Sequence, residues 1–558
     1  MVWLGGRLHL SRSSYTCYAP SIALEVNLAE RIVIIGAGVG GLVSAALLAN
    51  RGFDVTVVEK SRGPGGKIRR LPVGSSLIDG GPTVFTMREV FDEIFAECGE
   101  RIDERVSIRR SDVLAHHRWS DVEQLDLHAD PARSEEAIGD FAGAEAARGY
   151  RAFSAEARRI YDILERPFLR DSRAYPPGLM WRIGLHRIGD LVAIRPYESL
   201  WKVLGGHFRD GRLRQLFARY ATYCGSSPFR APATLMLIAH VEAQGVWRID
   251  GGMSALAEAL ANLAAERGAR FHYGRAVDTI ELEGGRASGV ILAGGERIAA
   301  DFVIANADPA ALAAGALGPA GTRAFRAYPA RHRSLSAITW MMRARCRGAP
   351  LVRHNVFFSR DYPAEFADLD SGRVPERPSV YVCALDREEA DAPAGAERLQ
   401  IIVNAPAIGD THQFTPQEID RCTRRMLERL QGCGLVLELT APPAVATPSD
   451  FEALFPSTGG ALYGRASHGW AASFLRQSAG TRIPGLYCAG GSTHPGAGVP
   501  MAALSGRLAA ARLIKDLGST ARSRRAAMPG GMSTRFPMTD NSASRSSASS
   551  AASSPLII

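Results

Sequence analysis

In the run "RIVIIGAGVGGLVSAALLANRGFDVTVVEK", three glycines, Gly36, Gly38 and Gly41, precede an acid, Glu59, at a spacing suited to dinucleotide chemistry. The first glycine permits a tight turn, the second lets a pyrophosphate touch the backbone, and the third lets a helix close on a strand. The phosphates then rest on a helix N-terminus, where free N–H groups and the dipole attract anions. Glu59 is placed to take a ribose hydroxyl, and its charge disfavours a 2′-phosphate. A second glycine turn, Gly65-Gly66-Lys67 in "SRGPGGKI", follows at once. A third glycine-rich loop, "GLYCAGGSTHPGAGVPMAALSGRLAAARLI" (485–514), passes Gly490, Gly491 and Gly498 and enters an Ala/Leu-rich segment at Val499, Pro500 and Met501. Pro500 falls in the first turn of a helix, where proline is favoured.

The elements that position these loops follow from hydrophobic pattern. Ile32–Ile35 is a continuous apolar run suited to a buried parallel strand, Leu42–Ala49 suits a helix, and Val55–Val58 is a second strand, giving a βαβ unit. Gly485–Ala489 reads as a further strand and Val499–Ile514 as a helix whose N-terminus points into a site. The stretch from Trp247 to Leu312 reads as a loop, a long amphipathic helix and several short strands.

Composition excludes several classes. A chain of 558 residues is too long for one simple core. No uninterrupted apolar stretch approaches the ~18 to 20 residues of a membrane span. The eight cysteines form no CxxC pair, which indicates neither a disulfide framework nor a zinc site and fits a reducing, cytoplasmic setting. The formal charge is +9, but five Arg and one Asp lie beyond Leu517, so the rest carries about +5, too little for a nucleic-acid surface. Residues 1–29 read as an unstructured extension, for which a start at a non-Met codon such as Val26 is an expectation that intact mass checks. Residues 516–558, Ser/Ala/Gly-rich, read as a disordered tail.

Gly65-Gly66-Lys67 soon after the acid resembles the second half of the signature of FAD-dependent amine oxidases and carotenoid desaturases, and "YCAGGSTHPGAGVPMAALSG" (487–506) is similar to the signature of bacterial-type carotenoid desaturases. The resemblance covers roughly residues 30–515 and is strongest to desaturases acting at C3,C4 of 1-hydroxycarotenoids, through runs such as "DGGPTVFTMREVFDEIF" (79–95) and "LFARYATYCGSSPFRAPATL" (216–235). It implies an α/β fold, with a Rossmann-like FAD-binding domain assembled from 30–115, 246–330 and 451–515, interleaved with an α+β substrate and membrane-facing domain from 116–245 and 331–450. It implies that the backbone at Val277, in "AVDTI", contacts the adenine and that "ADFVIANADP" (300–309) re-enters the nucleotide sheet. The 490–501 loop then holds the flavin ring, where a helix N-terminus suits the negative charge of reduced flavin.

The implied reaction inserts the C3,C4 double bond of an acyclic carotenoid oxygenated at C1, by hydride transfer to flavin and proton loss. Such chemistry asks for alignment and a dry channel more than for charged catalytic groups. "PATLMLIAHVEAQGVW" (232–247) and "LSAITWMM" (335–342) are apolar enough to line that channel. A carotenoid is held in lipid by on the order of tens of kcal/mol at ~0.8 kcal/mol per methylene, so the protein is expected to dock on a membrane surface, at the inner face of the cell membrane. Other pathway enzymes are implied partners, and the electron acceptor, oxygen or a quinone, has no motif. No catalytic residue is assigned, because "PFLRDSRAYPPGLMWRIGL" (167–185) departs from the family in spacing and the family's roles are not carried onto Asp171 or Arg173. No metal is expected: His494 reads as a residue that orders the loop or lines the flavin pocket, and His116 and His117, adjacent on a strand, face opposite ways. A phytoene desaturase, an amine oxidase and a non-catalytic lipid-escort protein of the Rab GDP-dissociation-inhibitor type share parts of this pattern. Retention of both N-terminal glycine motifs favours a flavin enzyme.

Overall fold

The computed structural model describes residues 30–172, 178–179, 188–387 and 393–526. The expectations for 1–29, Arg173 and 527–558 lie outside the described residues. The chain divides into two compact units, Met1–Leu513 and Ile514–Ile558.

The buried strand Arg31–Ile35 is the middle of a five-stranded parallel sheet ordered Leu486–Cys488, Phe302–Ala305, Arg31–Ile35, Asp54–Glu59, Arg270–Tyr273. Its apolar residues are buried because both faces of this parallel sheet are covered. One cover is the helix Val39–Ala49, buried along its whole length. Three distant stretches of sequence therefore meet in one sheet. A three-stranded antiparallel sheet, Val277–Glu283, Arg286–Leu292 and Arg297–Ala299, shares a core with it through Val290, Leu292, Val303 and Leu486.

A second, mixed sheet is ordered Leu435–Leu439, Ser336–Gly348, Glu397–Ala405, Val380–Ala384, His354–Phe357, Val113–Arg118, Gln124–His128, with Ala444–Ala446 paired to the long strand. One face packs against the helix Pro416–Gln431 through Ile338, Trp340, Leu399, Ile401 and Met426. The domain boundary expected at 115/116 falls inside Val113–Arg118, because that strand pairs in this sheet from Val113 onward. The boundary at 450/451 likewise falls inside the helix Pro448–Leu454.

The last helix runs Val499–Ala526, longer than its expected 499–514. Residues 516–526, expected to open a disordered tail, are helical. Leu, Ala and Arg in "DLGSTARSRRA" are strong helix formers, and the one glycine costs only about 1 kcal/mol. Among the described residues no helix is long and apolar enough to cross a membrane.

Candidate active site

The first glycine turn is closed by a residue from another strand. Gly36 sits at φ +96°, a left-handed conformation that favours glycine, and its N–H donates to Val58 O at 2.8 Å. Asn306, just past the strand Phe302–Ala305, donates from Nδ2 to Gly36 O at 3.1 Å. A Cβ on Gly41 would lie 2.2 Å from Gly36 O, so the third glycine is required by the approach of helix to turn. Gly41 does not line the cavity, whereas Gly36 and Gly38 do.

Glu59 is buried at the end of its strand. Its Oε2 accepts from Ala37 N and its Oε1 from Ser61 N, both at 2.7 Å. The acid therefore stands where the turn ends, with both oxygens oriented by backbone donors. Gly65 N donates to Ala37 O at 2.9 Å, which stitches the second glycine turn to the first. Lys67 donates to Leu462 O and lies over the Phe455 ring, 5.2 Å from its centroid. Burial lowers its pKa, partly offset by the charge of Asp308. The next loop is fixed by Asp79, which accepts from Met253 N at 2.9 Å and Ser254 Oγ at 2.6 Å at the start of the helix Met253–Glu266. That aims Gly80 and Gly81 at the Lys67 turn.

On the far side, Gly490 N donates to Ser505 Oγ at 2.7 Å, and Gly490, Gly491, Gly498, Val499, Pro500 and Met501 all face the same cavity. Val277 faces it too, beside Glu59. Of the cofactor residues expected from sequence, all but Gly41 therefore line one cavity of about 780 Å³. Its glycine-lined turn, ordered acid and helix N-terminus match the donor set that a dinucleotide pyrophosphate, ribose and ring require. FAD fits these residues.

Beyond the glycine turns the cavity continues between two unlike walls. Leu164, Phe168, Leu235, Ile238, Val241 and Phe474 form an apolar roof. The second sheet supplies a mixed floor, including Thr339, Tyr381, Gln400 and Ile402. Of the two stretches expected to line a channel, 232–247 does so through Pro232, Thr234, Leu235, Leu237, Ile238, Val241 and the acid Glu242. The stretch 335–342 contributes only Thr339, because Ile338, Trp340 and Met342 point to the core on the opposite face of the sheet. Strand alternation divides that apolar run between two interiors.

His494 is not a lining residue. Its Nε2–H faces the carbonyls of Phe168 at 2.9 Å and Asp171 at 2.8 Å, and burial pushes its pKa down to about 4, so the neutral imidazole ties the 490–501 loop to that segment. Asp171 contributes this carbonyl. His116 meets Asp126 through Nδ1 and accepts from Arg118 Nε at 2.8 Å, while His117 faces Leu125 O at 3.2 Å. Among the described residues no three His, Cys, Asp or Glu side chains are grouped to hold a metal.

Sequence reasoning missed Asn306 and a buried polar cluster beside the roof. There Arg219 donates to Tyr223 at 2.7 Å, Tyr223 donates to Glu242 at 2.7 Å, and Tyr220 also donates to Glu242. Arg219 and Tyr223 stand four residues apart in "RYATYC", within the short helix Arg219–Cys224, a signal present in the sequence. It also missed Glu365, whose Oε2 accepts from Ser379 Oγ at 2.6 Å while burial pushes its pKa up to about 7.

Fold and site together define an FAD-binding oxidoreductase with a covered, largely apolar substrate space. The family model for flavin containing amine oxidoreductases matches residues 39–514, and the chain belongs to that family. It is 51% identical to a hydroxyneurosporene desaturase of Rubrivivax gelatinosus, over 91% of this chain and 98% of that protein. It is 44% identical to a hydroxyneurosporene desaturase of Cereibacter sphaeroides, over 89% of this chain and all of that protein. A zeta-carotene-forming phytoene desaturase of Myxococcus xanthus is 33% identical over 87% of this chain and 94% of that protein. The fold is shared with putrescine oxidase bound to putrescine, at TM-score 0.55 and 15% identity over 88% of this chain and 99% of that one. The chain is a flavoprotein oxidoreductase of the carotenoid desaturase branch.

Proposed function

We propose that the protein removes two hydrogens from C3 and C4 of an acyclic carotenoid carrying oxygen at C1, forming the C3,C4 double bond. The observation that carries this reading is the continuity of one cavity from the glycine cradle to an apolar roof. Bound FAD supplies a two-electron acceptor for a hydride from the substrate, and the second hydrogen leaves as a proton, so the substrate loses two electrons and the cofactor gains them. The chain's part is placement. Gly36, Gly38, Glu59, Gly65, Gly66, Lys67, Val277 and the 490–501 loop hold the cofactor, with Gly41 supporting the turn. Leu235, Ile238 and Val241 align the polyene and exclude water.

The same cavity suggests how substrate arrives. Tyr197 and Trp470, 79% and 46% exposed, touch with ring centroids 5.8 Å apart, and Val192 and Leu475, each five residues from one of them in sequence, are exposed as well. Trp470, Phe474, Ile194 and Pro196 also line the cavity, so this exposed apolar patch is continuous with it. Clustered apolar exposure, with aromatic rings suited to a membrane interface, supports docking of this rim on lipid. Replacing both Tyr197 and Trp470 by serine is expected to lower co-sedimentation with phosphatidylglycerol-containing liposomes by about ten-fold while bound flavin is kept. Unchanged sedimentation would remove the rim from the docking surface.

The function is tested by anaerobic mixing of the FAD-loaded protein with liposomes containing 1-hydroxyneurosporene or neurosporene while the flavin absorbance is followed. Bleaching that is faster with the hydroxylated carotenoid is expected. Equal bleaching would indicate a general carotenoid desaturase, and carotenoid binding without bleaching an escort protein.

A further inference from the structure

Two polar atoms in the cavity floor have no partner in the protein. Thr339 Oγ1 and Gln400 Oε1 are both unbonded, on side chains only 3% and 1% exposed that line the cavity. In the strand pairing Thr339 lies opposite Ile402 and Met341 opposite Gln400, so the two side chains are diagonal neighbours on one face. The amide of Gln400 is fixed at its other end, because Nε2 donates to Gly81 O at 2.8 Å and a carbonyl can only accept. That leaves Oε1 turned away from Gly81 as a free acceptor. The Gly81 backbone itself lies on the second glycine turn: a Cβ there would stand 2.2 Å from Lys67 O.

Buried polar atoms are nearly always bonded, and leaving one unpaired is destabilising. Two such atoms side by side, one a hydroxyl that can donate and one an amide oxygen that can only accept, form the complement of an alcohol. We propose that Thr339 and Gln400 bind the hydroxyl oxygen of the carotenoid, Thr339 donating to it and Gln400 Oε1 accepting from it, and so set the preference for an oxygenated substrate. This rests on the desaturase reading above. Position is compatible with it: the oxygen on C1 lies within roughly 5 Å of C3 and C4 at bond lengths near 1.5 Å, so its binding groups must line the cavity that holds the cofactor, as Thr339 and Gln400 both do. A site that hydrogen-bonds a substrate hydroxyl discriminates against the analogue lacking it, since its own polar groups are then left unpaired.

The test compares bleaching rates with 1-hydroxyneurosporene and neurosporene for the wild-type protein, Thr339→Val, Thr339→Ser and Gln400→Leu, all FAD-loaded. The ratio of the two rates is expected to fall about three- to ten-fold in Thr339→Val and Gln400→Leu and to be restored in Thr339→Ser. The thermal midpoint of Thr339→Val is expected to be no lower than that of the wild type, because the lost hydroxyl bonds nothing in the protein. A ratio that holds in both Thr339→Val and Gln400→Leu overturns the inference alone. One that falls in Thr339→Val without rescue in Thr339→Ser also overturns it, since packing then explains the loss. A wild-type protein with no preference overturns the substrate reading and this inference with it.

Discussion

Gly41→Ala yields a protein that does not retain FAD. The added methyl would stand 2.2 Å from Gly36 O and 3.0 Å from Asn306 Nδ2. Backbone cannot yield as a flexible side chain can, so the helix Val39–Ala49 must move off the strand Arg31–Ile35 or the turn must reopen. Overpacking of this kind costs about 1–3 kcal/mol even where side chains can adjust. Here the displaced atoms are the turn that faces the pyrophosphate and the Asn306 amide that closes it. A shift of half an ångström there misplaces several backbone donors together, and a loss of at least about 2.7 kcal/mol, or 100-fold in affinity, is expected. The ratio of flavin to protein absorbance in purified protein measures it. Gly63→Ala is the control: that glycine meets nothing within 4 Å, and its variant is expected to keep a full flavin complement. A yellow Gly41→Ala protein with a wild-type absorbance ratio would refute the steric argument.

This cradle was legible in the sequence because each glycine answers a backbone requirement, which side-chain context cannot replace. Asn306 was not legible in the same way. An asparagine after "DFVIA" acquires meaning only when Ala305 pairs with Ile35 and brings the next residue over Gly36. The channel divided along similar lines. The helix Leu237–Gln244 presents Leu237, Ile238 and Val241 to the cavity at helical spacing, so an apolar reading found this wall although it passed over Glu242 beside them. The strand Ser336–Gly348 has two buried faces, and hydrophobicity cannot say which interior each residue joins. Thr339 looked incidental in "LSAITWMM", yet it alone of that stretch reaches the cavity. The overall α/β plan was legible because "RIVII" and "DVTVVE" are continuous apolar strands around a glycine turn. The strand Val113–Arg118 carries two histidines and an arginine on a strand buried from Leu114 onward, so its membership of the second sheet shows only through its partners His354–Phe357 and Gln124–His128.

Glu365 has the largest expected effect on stability. It is 1% exposed on the helix Tyr362–Asp370, with Oε2 held by Ser379 N at 3.1 Å and Ser379 Oγ at 2.6 Å. Burial raises its pKa from the ordinary 4.5 to about 7, against the smaller opposing pull of the Ser379 bonds, of the Asn404 side chain and of Arg429. With its folded pKa above its unfolded one, the folded chain binds the extra proton between about pH 4.5 and 7. Stability due to this group is therefore full below pH 4.5 and falls as pH rises towards 7. The gap between the two pKa values corresponds to about 3 kcal/mol, which the wild-type protein lacks at pH 8. Glu365→Gln keeps the acceptor for Ser379 and cannot ionise. Its urea midpoint is expected to match the wild type near pH 4.5 and to exceed it progressively up to pH 8. A difference between the two proteins that is constant across that range would show that Glu365 does not change its charge on unfolding. One that grows towards low pH would reverse the sign and place a charged carboxylate in the folded cavity.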